Sequence, residues 1–453
     1  MTTKPQKPHI TFAARDLTRS SLWVALYVLL ALYPLLWLAA VPVPRGATFR
    51  DDLGGALGFL ALSMMAMQFL LTARFAWLAP PFGTDLVYAF HRHITAAMVA
   101  FAVLHPLVLL GGEFWTWWEM LLPWEAPWEI GAGVVSLYAL LVVSLTSWFR
   151  KRWRLPYDGW RKVHGILALV AVVLGLWHGL EARRLLDAPV VRWLWLLWTL
   201  AWAALVLRVR LAKPLTLLRR PYVVHEVRQE PGDAVTLVLD PHRHEGFRFR
   251  SGQFAWLTLG SSPFAAAEHP FSIASSSQRA PRIEMLIKAA GDFTRGLAER
   301  VKEGDRAYVD GPFGTMSIDA CPDEDGYVFI AGGVGLAPCL SMIRTLADRG
   351  DRRQHALVYA TVEWDKTPHV ETLKKLQGEL ALKVVHVVEK PPPGWTGEAG
   401  FITQAMLERV LPLDGRRSFF ICGPPRMMDV VETALARMGV PLGQIHSERF
   451  DLV

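Results

Sequence analysis

The sequence predicts a multidomain chain: a six-helix all-α transmembrane bundle, then an antiparallel β-barrel, then an open α/β nucleotide-binding domain. Three observations predict it. The chain has 453 residues and is 52% hydrophobic, and its long apolar runs crowd into the first 210 positions. Two of those runs carry histidine pairs with identical spacing. Beyond Arg219 the apolar residues alternate with polar ones or form short runs bounded by Gly, Pro and Asp, the texture of strands.

Residues 1–20 are polar and basic (Lys4, Lys7, Arg15, Arg19) and read as a cytoplasmic tail. Six apolar runs follow, Leu22–Val43 (with Pro34 as a kink), Leu53–Thr72, Ala89–Gly112, Ile130–Phe149, Val163–Leu180 and Trp193–Leu207. The sixth falls short of the roughly 20 residues a span needs, and Arg192 and Arg208 would snorkel to extend it. The first run is too long for a cleaved signal peptide and lacks its cleavage site. Basic clusters at 149–154 and 208–220, with the basic tail, put both termini on the cytoplasmic side. The acidic, Trp-rich segment 113–129 then lies on the far side and reads as an interfacial anchor, with cation binding by its four Glu as the alternative.

His91 and His105 are 14 positions apart, as are His164 and His178. That is close to four helical turns, so each pair shares one helix face, with about 21 Å between its members. Side by side, the two helices stack two bis-histidine sites, His91 with His164 inside and His105 with His178 outside. Two axial imidazoles suit a haem iron and leave no open position, which favours electron transfer. A single intramembrane histidine is more simply a packing residue, but four in matched pairs are expensive without a task. His93 faces another side of its helix and reads as structural or as a propionate contact. Arg92, Arg161 and Lys162 fit either inner propionates or the positive-inside rule.

The net charge of +7 sits largely in clusters beside apolar runs, a membrane-orientation signal, so no nucleic-acid partner is called for. The three cysteines, Cys321, Cys339 and Cys422, form no CxxC, which points away from a disulfide framework or a zinc or iron–sulfur site.

In the second half, segments beginning at Tyr222, Ala234, Phe254 and Arg282 read as barrel strands. HPFSIASS (269–276) places an aromatic, Phe271, beside a small hydroxyl, Ser272, and this suits a flavin by stacking and hydrogen bonding. IKAAGDFTRGL (287–297) supplies Gly291 and Thr294 ahead of a helix start with free N–H groups, suited to a pyrophosphate. AGGVGLAP (331–338) lies between a strand and a helix, where glycines admit a phosphate. ICGPPRMM (421–428) adds a second small-residue turn on the same sheet edge. Phe450, near the chain end, is either a buried anchor or a mobile aromatic over a flavin. The domains are placed at 21–213, 218–318 and 325–453.

The order HPFS, GxxT, GPFG, AGGVGxxP, CGPP and a near-terminal ExF resembles the ferredoxin–NADP reductase flavodehydrogenase module. Joined to six spans with two His-x13-His helices, the chain resembles the NADPH oxidase and ferric reductase superfamily in its compact bacterial form, from about residue 20 onward. The resemblance implies a protein of the bacterial cytoplasmic membrane in which His91, His105, His164 and His178 ligate two b-type haems. It implies FAD on His269, Pro270, Phe271, Ser272, Lys288, Gly291 and Thr294. NADH or NADPH would lie on Gly332, Gly333, Gly335, Pro338, Cys422, Gly423 and Pro424, with Phe450 covering the flavin. Ser272, Phe450 and Cys422 are the candidate catalytic residues.

Two departures stand out. Where NADPH-preferring members carry Arg for the 2′-phosphate, this chain has Val362 and Glu363, which leans toward NADH; Lys366 or His369 would compensate. Where animal oxidases have a second histidine one turn past the outer ligand, this chain has Leu109. The expected activity is transfer of electrons from NAD(P)H across the membrane to dioxygen, giving superoxide. The alternatives are a ferric-chelate reductase and an electron donor for a periplasmic redox protein such as a methionine sulfoxide reductase.

Overall fold

The computed structural model describes residues 14–39, 48–75, 83–111, 114–181, 186, 188–260, 262–264, 268–291, 293–411 and 414–449. The chain divides into two compact units, one formed by Thr18–Leu78 with Leu86–Pro214, the other with Leu215–Val453 as its body.

The first unit is helical: α1 (Ala14–Ala39), α2 (Phe49–Thr72), α3 (Gly83–Leu110), α4 (Phe114–Leu121), α5 (Trp128–Trp148), α6 (Tyr157–Glu181) and α7 (Pro189–Leu207). Thr48 starts α2 with a capping box, Asp51 N–H donating to its hydroxyl while Thr48 N–H donates to the Asp51 carboxylate at 3.0 Å. Pro34 lies inside α1 without ending it. Among the described residues, five helices are long and apolar enough to cross a membrane, and the apolar stretch of α1, Ser21–Trp37, is shorter. The last span is longer than expected. Helix continues from α7 through a π turn (Arg208–Ala212) into α8 (Lys213–Arg219), giving 31 helical residues from Pro189 to Arg219. The basic residues that interrupt the apolar run are good helix formers, so charge changes there while the backbone does not. Arg208 therefore sits within the helix and need not extend a short one.

Serine hydroxyls join the helices. Ser63 Oγ donates to Leu30 O at 3.0 Å, tying α2 to α1, and Ser136 Oγ donates to Ala171 O at 2.6 Å, tying α5 to α6. Each such bond inside an apolar bundle contributes about 0.6–2 kcal/mol.

The second unit begins with β1 (Tyr222–Glu230), β2 (Ala234–Pro241), β3 (Phe254–Leu259), β4 (Glu268–Ser272), β5 (Ile283–Lys288), the single turn α9 (Leu297–Arg300) and β6 (Arg306–Phe313). They form one antiparallel sheet in the order β4-β3-β6-β1-β2-β5. A bridge from Ile273 to Met285 brings the two edge strands together as a barrel requires. Leu237, Leu239, Leu257, Ile283 and Met285 fill its interior.

There follow β7 (Gly326–Gly332), α10 (Leu336–Asp348), β8 (His355–Glu363), α11 (Val370–Glu379), β9 (Leu382–Lys390), β10 (Glu398–Ala399), α12 (Gln404–Val410), β11 (Arg417–Cys422), α13 (Pro425–Arg437) and β12 (Ile445–Ser447). The sheet is parallel, ordered β10-β9-β8-β7-β11-β12. Buried runs such as Val328–Ala331 are apolar on both faces, because α10 and α11 cover one side and α12 and α13 the other. Strand order reverses at β7, which sets the carboxyl ends of β7 and β11 side by side.

Helix α10 is stitched to the barrel. Arg344 Nη1 donates to Ala274 O and to Glu284, Ser341 Oγ donates to Ser275 O at 2.7 Å, and Arg279 makes a bidentate pair with Asp348. Behind this seam His369, at φ +61°, lies 3.6 Å from Glu230, whose carboxylate accepts from Thr236 Oγ1 at 2.8 Å.

Burial lowers the His369 imidazole to about 3, with Arg344 and Arg228 adding to the effect. The unfolded chain takes up this proton near pH 6.5 and the folded chain does not, so stability is lost as pH falls below 6.5, by about 1.4 kcal/mol per unit. Glu230, raised by burial, acts in the opposite sense, its folded form favouring the proton as pH falls toward the ordinary carboxylate range. His369→Asn keeps a residue that tolerates positive φ. The variant is expected to show a smaller drop in thermal midpoint between pH 7 and 5.5 than the wild type; equal drops would remove His369 as a source of acid sensitivity.

Candidate functional site

Polar groups of the helical unit converge on two histidine pairs. His105 of α3 and His178 of α6 face each other with ring centroids 6.0 Å apart and planes crossed at 72°. His105 Nδ1 lies 2.7 Å from Gly54 O of α2, and His178 Nδ1 lies 2.9 Å from Glu129 O of α5. A carbonyl only accepts, so Nδ1 carries the hydrogen in both rings and Nε2 keeps its lone pair. Both rings line a cavity of about 220 Å³ with Asp51, Gly58, Leu109, Gly133 and Leu140.

At the other end of the bundle His91 and His164 lie within electrostatic range of each other. His164 Nδ1 is 3.1 Å from Ser147 Oγ, whose own hydrogen goes to Val143 O at 2.5 Å, so the imidazole again donates. Arg161 and Arg210 lie within electrostatic range of this ring, and Arg210 rests against Gly165, where a Cβ would stand 3.4 Å from its guanidinium. Arg210 belongs to the π turn and reads in sequence only as one more positive-inside charge. Arg92 and Lys162 are exposed. His93 is exposed too, with Nδ1 2.7 Å from Ala89 O of its own helix.

Two facing imidazoles with free Nε2 atoms fit a haem. A metal–imidazole bond of about 2 Å on each side of one atom accounts for a ring separation of this order. Among the described residues no cluster of three His, Cys, Asp or Glu is placed to hold a metal ion. Two imidazoles at each site would hold a haem, whose macrocycle would bring the remaining ligands itself.

In the barrel, neighbouring residues of β4 point to opposite faces. His269 therefore shares a face with Phe271, and Pro270 with Ser272. His269 stacks on Phe293 at 4.0 Å and Phe271 stacks on the same ring at 6.2 Å. Phe271 is also packed against the barrel core, and Phe293 stands between it and His269 as the centre of an aromatic wall. Ser272 is buried. Lys288 is exposed at the end of β5.

The helix after Gly291 and Thr294 is only the one turn of α9. Thr294 Oγ1 accepts from Ala290 N–H at 2.9 Å and Gly291 N–H at 3.0 Å, closing the turn ahead of α9. Arg300 donates to the carbonyls of Phe293, Arg295 and Gly296 and holds the same loop.

On the α/β sheet the two expected turns pack on each other. A Cβ at Gly335 would stand 2.8 Å from Gly423 N, and one at Gly332 would stand 2.7 Å from Pro424 Cδ. These glycines admit the neighbouring turn. Gly333, at φ +54° with nothing within 4 Å of its missing Cβ, is the one open to a ligand. Pro338 is buried in the first turn of α10. Cys422 is buried at the end of β11, and burial pushes its thiol well above the ordinary range, so it stays protonated.

Glu363 ends β8, partly exposed and paired with Lys366 at 2.9 Å, and that pairing holds its carboxyl below the usual range. His369 is buried in the Glu230 cluster. Phe450 lies outside the described residues, but Arg449 before it is clamped to Asp429 at 2.7 Å and Glu432 at 2.8 Å. Glu448, quoted from sequence only as part of the terminal motif, is buried, and a Cβ at Gly314 would stand 2.9 Å from its carboxylate.

The packing of the two turns has a measurable consequence. Gly335→Ala is expected to lower stability by about 1–3 kcal/mol, the usual cost of overpacking, and Gly333→Ala by about 1 kcal/mol through its backbone alone. Thermal midpoints in the reverse order would contradict the packing of Gly335 on Cys422 and Gly423.

Comparison with known families agrees with this layout. Residues 57–175 match the ferric reductase like transmembrane component, 222–321 an FAD-binding domain and 329–433 the oxidoreductase NAD-binding domain. The propane 2-monooxygenase reductase component of Rhodococcus jostii is 30% identical over 48% of this chain and 60% of its own length. The NADH-cytochrome b5 reductase 1 of Laccaria bicolor is 33% identical over 38% of this chain and 58% of its own. The chain thus spans less than two thirds of either relative. Among solved structures, a cytochrome P450 reductase from Amycolatopsis is 26% identical, covering 51% of this chain and 69% of that one, with a TM-score of 0.46. With a ferric reductase-like membrane component joined to FAD-binding and NAD-binding domains in one polypeptide, the chain has the oxidoreductase architecture of the ferric reductases and NADPH oxidases.

Proposed function

We propose that the chain passes electrons from NADH, or less readily NADPH, through FAD and two b-type haems to an acceptor on the far side of a bacterial cytoplasmic membrane. Both termini are cytoplasmic in this reading, and α1 completes six spans. The observation that carries it is the facing pair His105 and His178, each with Nδ1 tied to a backbone carbonyl and Nε2 left with its lone pair. FAD supplies the exchange between two-electron hydride and one-electron chemistry, and the haems supply the one-electron path.

The residues of the chain bind and orient. His105 and His178 would hold the outer haem and His91 and His164 the inner one, and Arg161 and Arg210, within electrostatic range of His164, would meet its propionates. His269, Phe271 and Phe293 form a wall of the flavin site, with Pro270, Ser272, Lys288, Gly291 and Thr294 around it. Gly333 receives the nicotinamide nucleotide's phosphates, and Gly332, Gly335, Pro338, Gly423 and Pro424 shape that turn. Cys422, with a protonated thiol, bounds the hydride-transfer position without acting as a nucleophile. Phe450, which lies outside the described residues, would be the aromatic that covers the flavin.

Dioxygen is the acceptor favoured here, two molecules each taking one electron per nicotinamide oxidised to give superoxide. The carboxylate of Asp51, in the described lining beside His105 and His178, disfavours an anionic ferric chelate relative to a small neutral acceptor. Exposed Trp118, Trp124 and Trp128 favour the second reading, in which a ferric complex or a periplasmic redox protein docks on that side.

Purified protein loaded with FAD is expected to oxidise NADH faster than NADPH, to reduce both haems and to release superoxide in air. Haems that reduce but reoxidise slowly in air would transfer the assignment to the second reading. His105→Leu and His178→Leu are each expected to retain a single haem; two haems with unchanged spectra in both would end the ligand assignment. Glu363→Gln is expected to lower KM for NADPH several-fold and leave that for NADH little changed.

A further inference from the structure

His105 and His178 are held by the same device built twice. His105 Nδ1 donates to Gly54 O, and a Cβ on Gly58 would stand 2.7 Å from that nitrogen. His178 Nδ1 donates to Glu129 O, and a Cβ on Gly133 would stand 2.9 Å from Cγ and 3.0 Å from Nδ1. In each case the carbonyl and the glycine are four residues apart on the neighbouring helix, so they lie one turn apart on one face. The ring lies over the bare glycine and reaches back to the carbonyl. The flanking sequences of α2 and α5 differ, yet the device is the same.

We propose that Gly54 with Gly58, and Glu129 with Gly133, form a matched pair of saddles that set the tautomer and the plane of the two outer imidazoles. Gly58 and Gly133 are positioning residues. They touch no acceptor and act through the rings they seat. A Cβ closer than 3 Å must displace the ring. The displaced ring then loses its carbonyl, and an imidazole N–H left unpaired in an apolar bundle is costly. The saddles also hold the two planes at 72°. The inner pair has no such seat among the described residues. His164 donates to a hydroxyl, and His91 Nδ1 is buried with no hydrogen-bond partner. The glycines therefore distinguish the outer site from the inner one.

The inference rests on the haem reading above, and the experiment separates the two. Full-length protein in detergent is assayed for haem per chain and for flavin, and the oxidised haems are examined by electron paramagnetic resonance. Crossed axial imidazoles give a highly anisotropic low-spin ferric signal, and parallel ones give a rhombic signal. In the wild type the signal lost in His178→Leu is expected to be of the crossed type. Gly58→Ala and Gly133→Ala are each expected to abolish that signal or convert it, leaving the other haem signal and the flavin content unchanged. Gly131→Ala is the control. Its Cβ would stand 2.6 Å from Pro123 O, an equally tight fit, without touching a histidine. It is expected to keep both signals.

Unchanged signals in both saddle variants, or the same change in Gly131→Ala, would overturn the saddles while leaving the haem reading intact. A parallel-type outer signal in the wild type would overturn them even where a variant fails to accumulate. Wild-type protein that holds flavin but binds no haem would instead remove the haem reading and the saddles with it.

Discussion

An imidazole N–H inside an apolar helix bundle must have an acceptor, because neither water nor lipid supplies one there. Much of the helical unit can be understood from this constraint. Three of the four histidines place Nδ1 on an acceptor from another helix: Gly54 O, Glu129 O and Ser147 Oγ. A carbonyl already engaged in its own helix has a second lone pair to offer, and at His105 and His178 the imidazole reaches it lying over a glycine one turn along. Gly58 and Gly133 are small for that reason. Tautomer, ring plane and the direction of Nε2 all follow from that one hydrogen bond.

Close approach also organises the α/β sheet. Gly332 and Gly335 give up their side chains to the Cys422–Pro424 turn, so the carboxyl ends of β7 and β11 become one surface. Gly333 alone faces open space. The glycine-rich motif is thus largely internal packing at Gly332 and Gly335, with Gly333 left open. The barrel behaves similarly. Hydroxyl and guanidinium groups of Thr294 and Arg300 are used to close the 290–296 loop, and the aromatic wall is made by a phenylalanine from that loop.

The seam between barrel and α/β domain is polar on one side and buried and titratable on the other. Arg279 and Arg344 tie α10 to the 274–284 region, while His369 and Glu230 meet away from water. The exposed pairs contribute little individually. The geometry depends more on hydrogen bonds to backbone, such as Ser341 to Ser275 O, which fix the register between the two domains.

Several features were determined by the sequence alone. Apolar length marked the spans, the 14-residue spacing put each histidine pair on one helix face, and the alternation beyond Arg219 marked the barrel strands. Gly-rich turns after apolar strands located the sheet edge. These signals are local and periodic, and a chain carries them before it folds. Tertiary structure decided the rest. Which carbonyl seats His105, that Phe293 is the stacking partner of His269, that Gly335 faces Cys422 and that Glu363 is paired with Lys366 all depend on contacts between segments with no shared periodicity. The end of the last span was misread for a related reason. The charges at Arg208 and Arg210 change the solvent a helix prefers, whereas its hydrogen bonding, which continues to Arg219, does not depend on them.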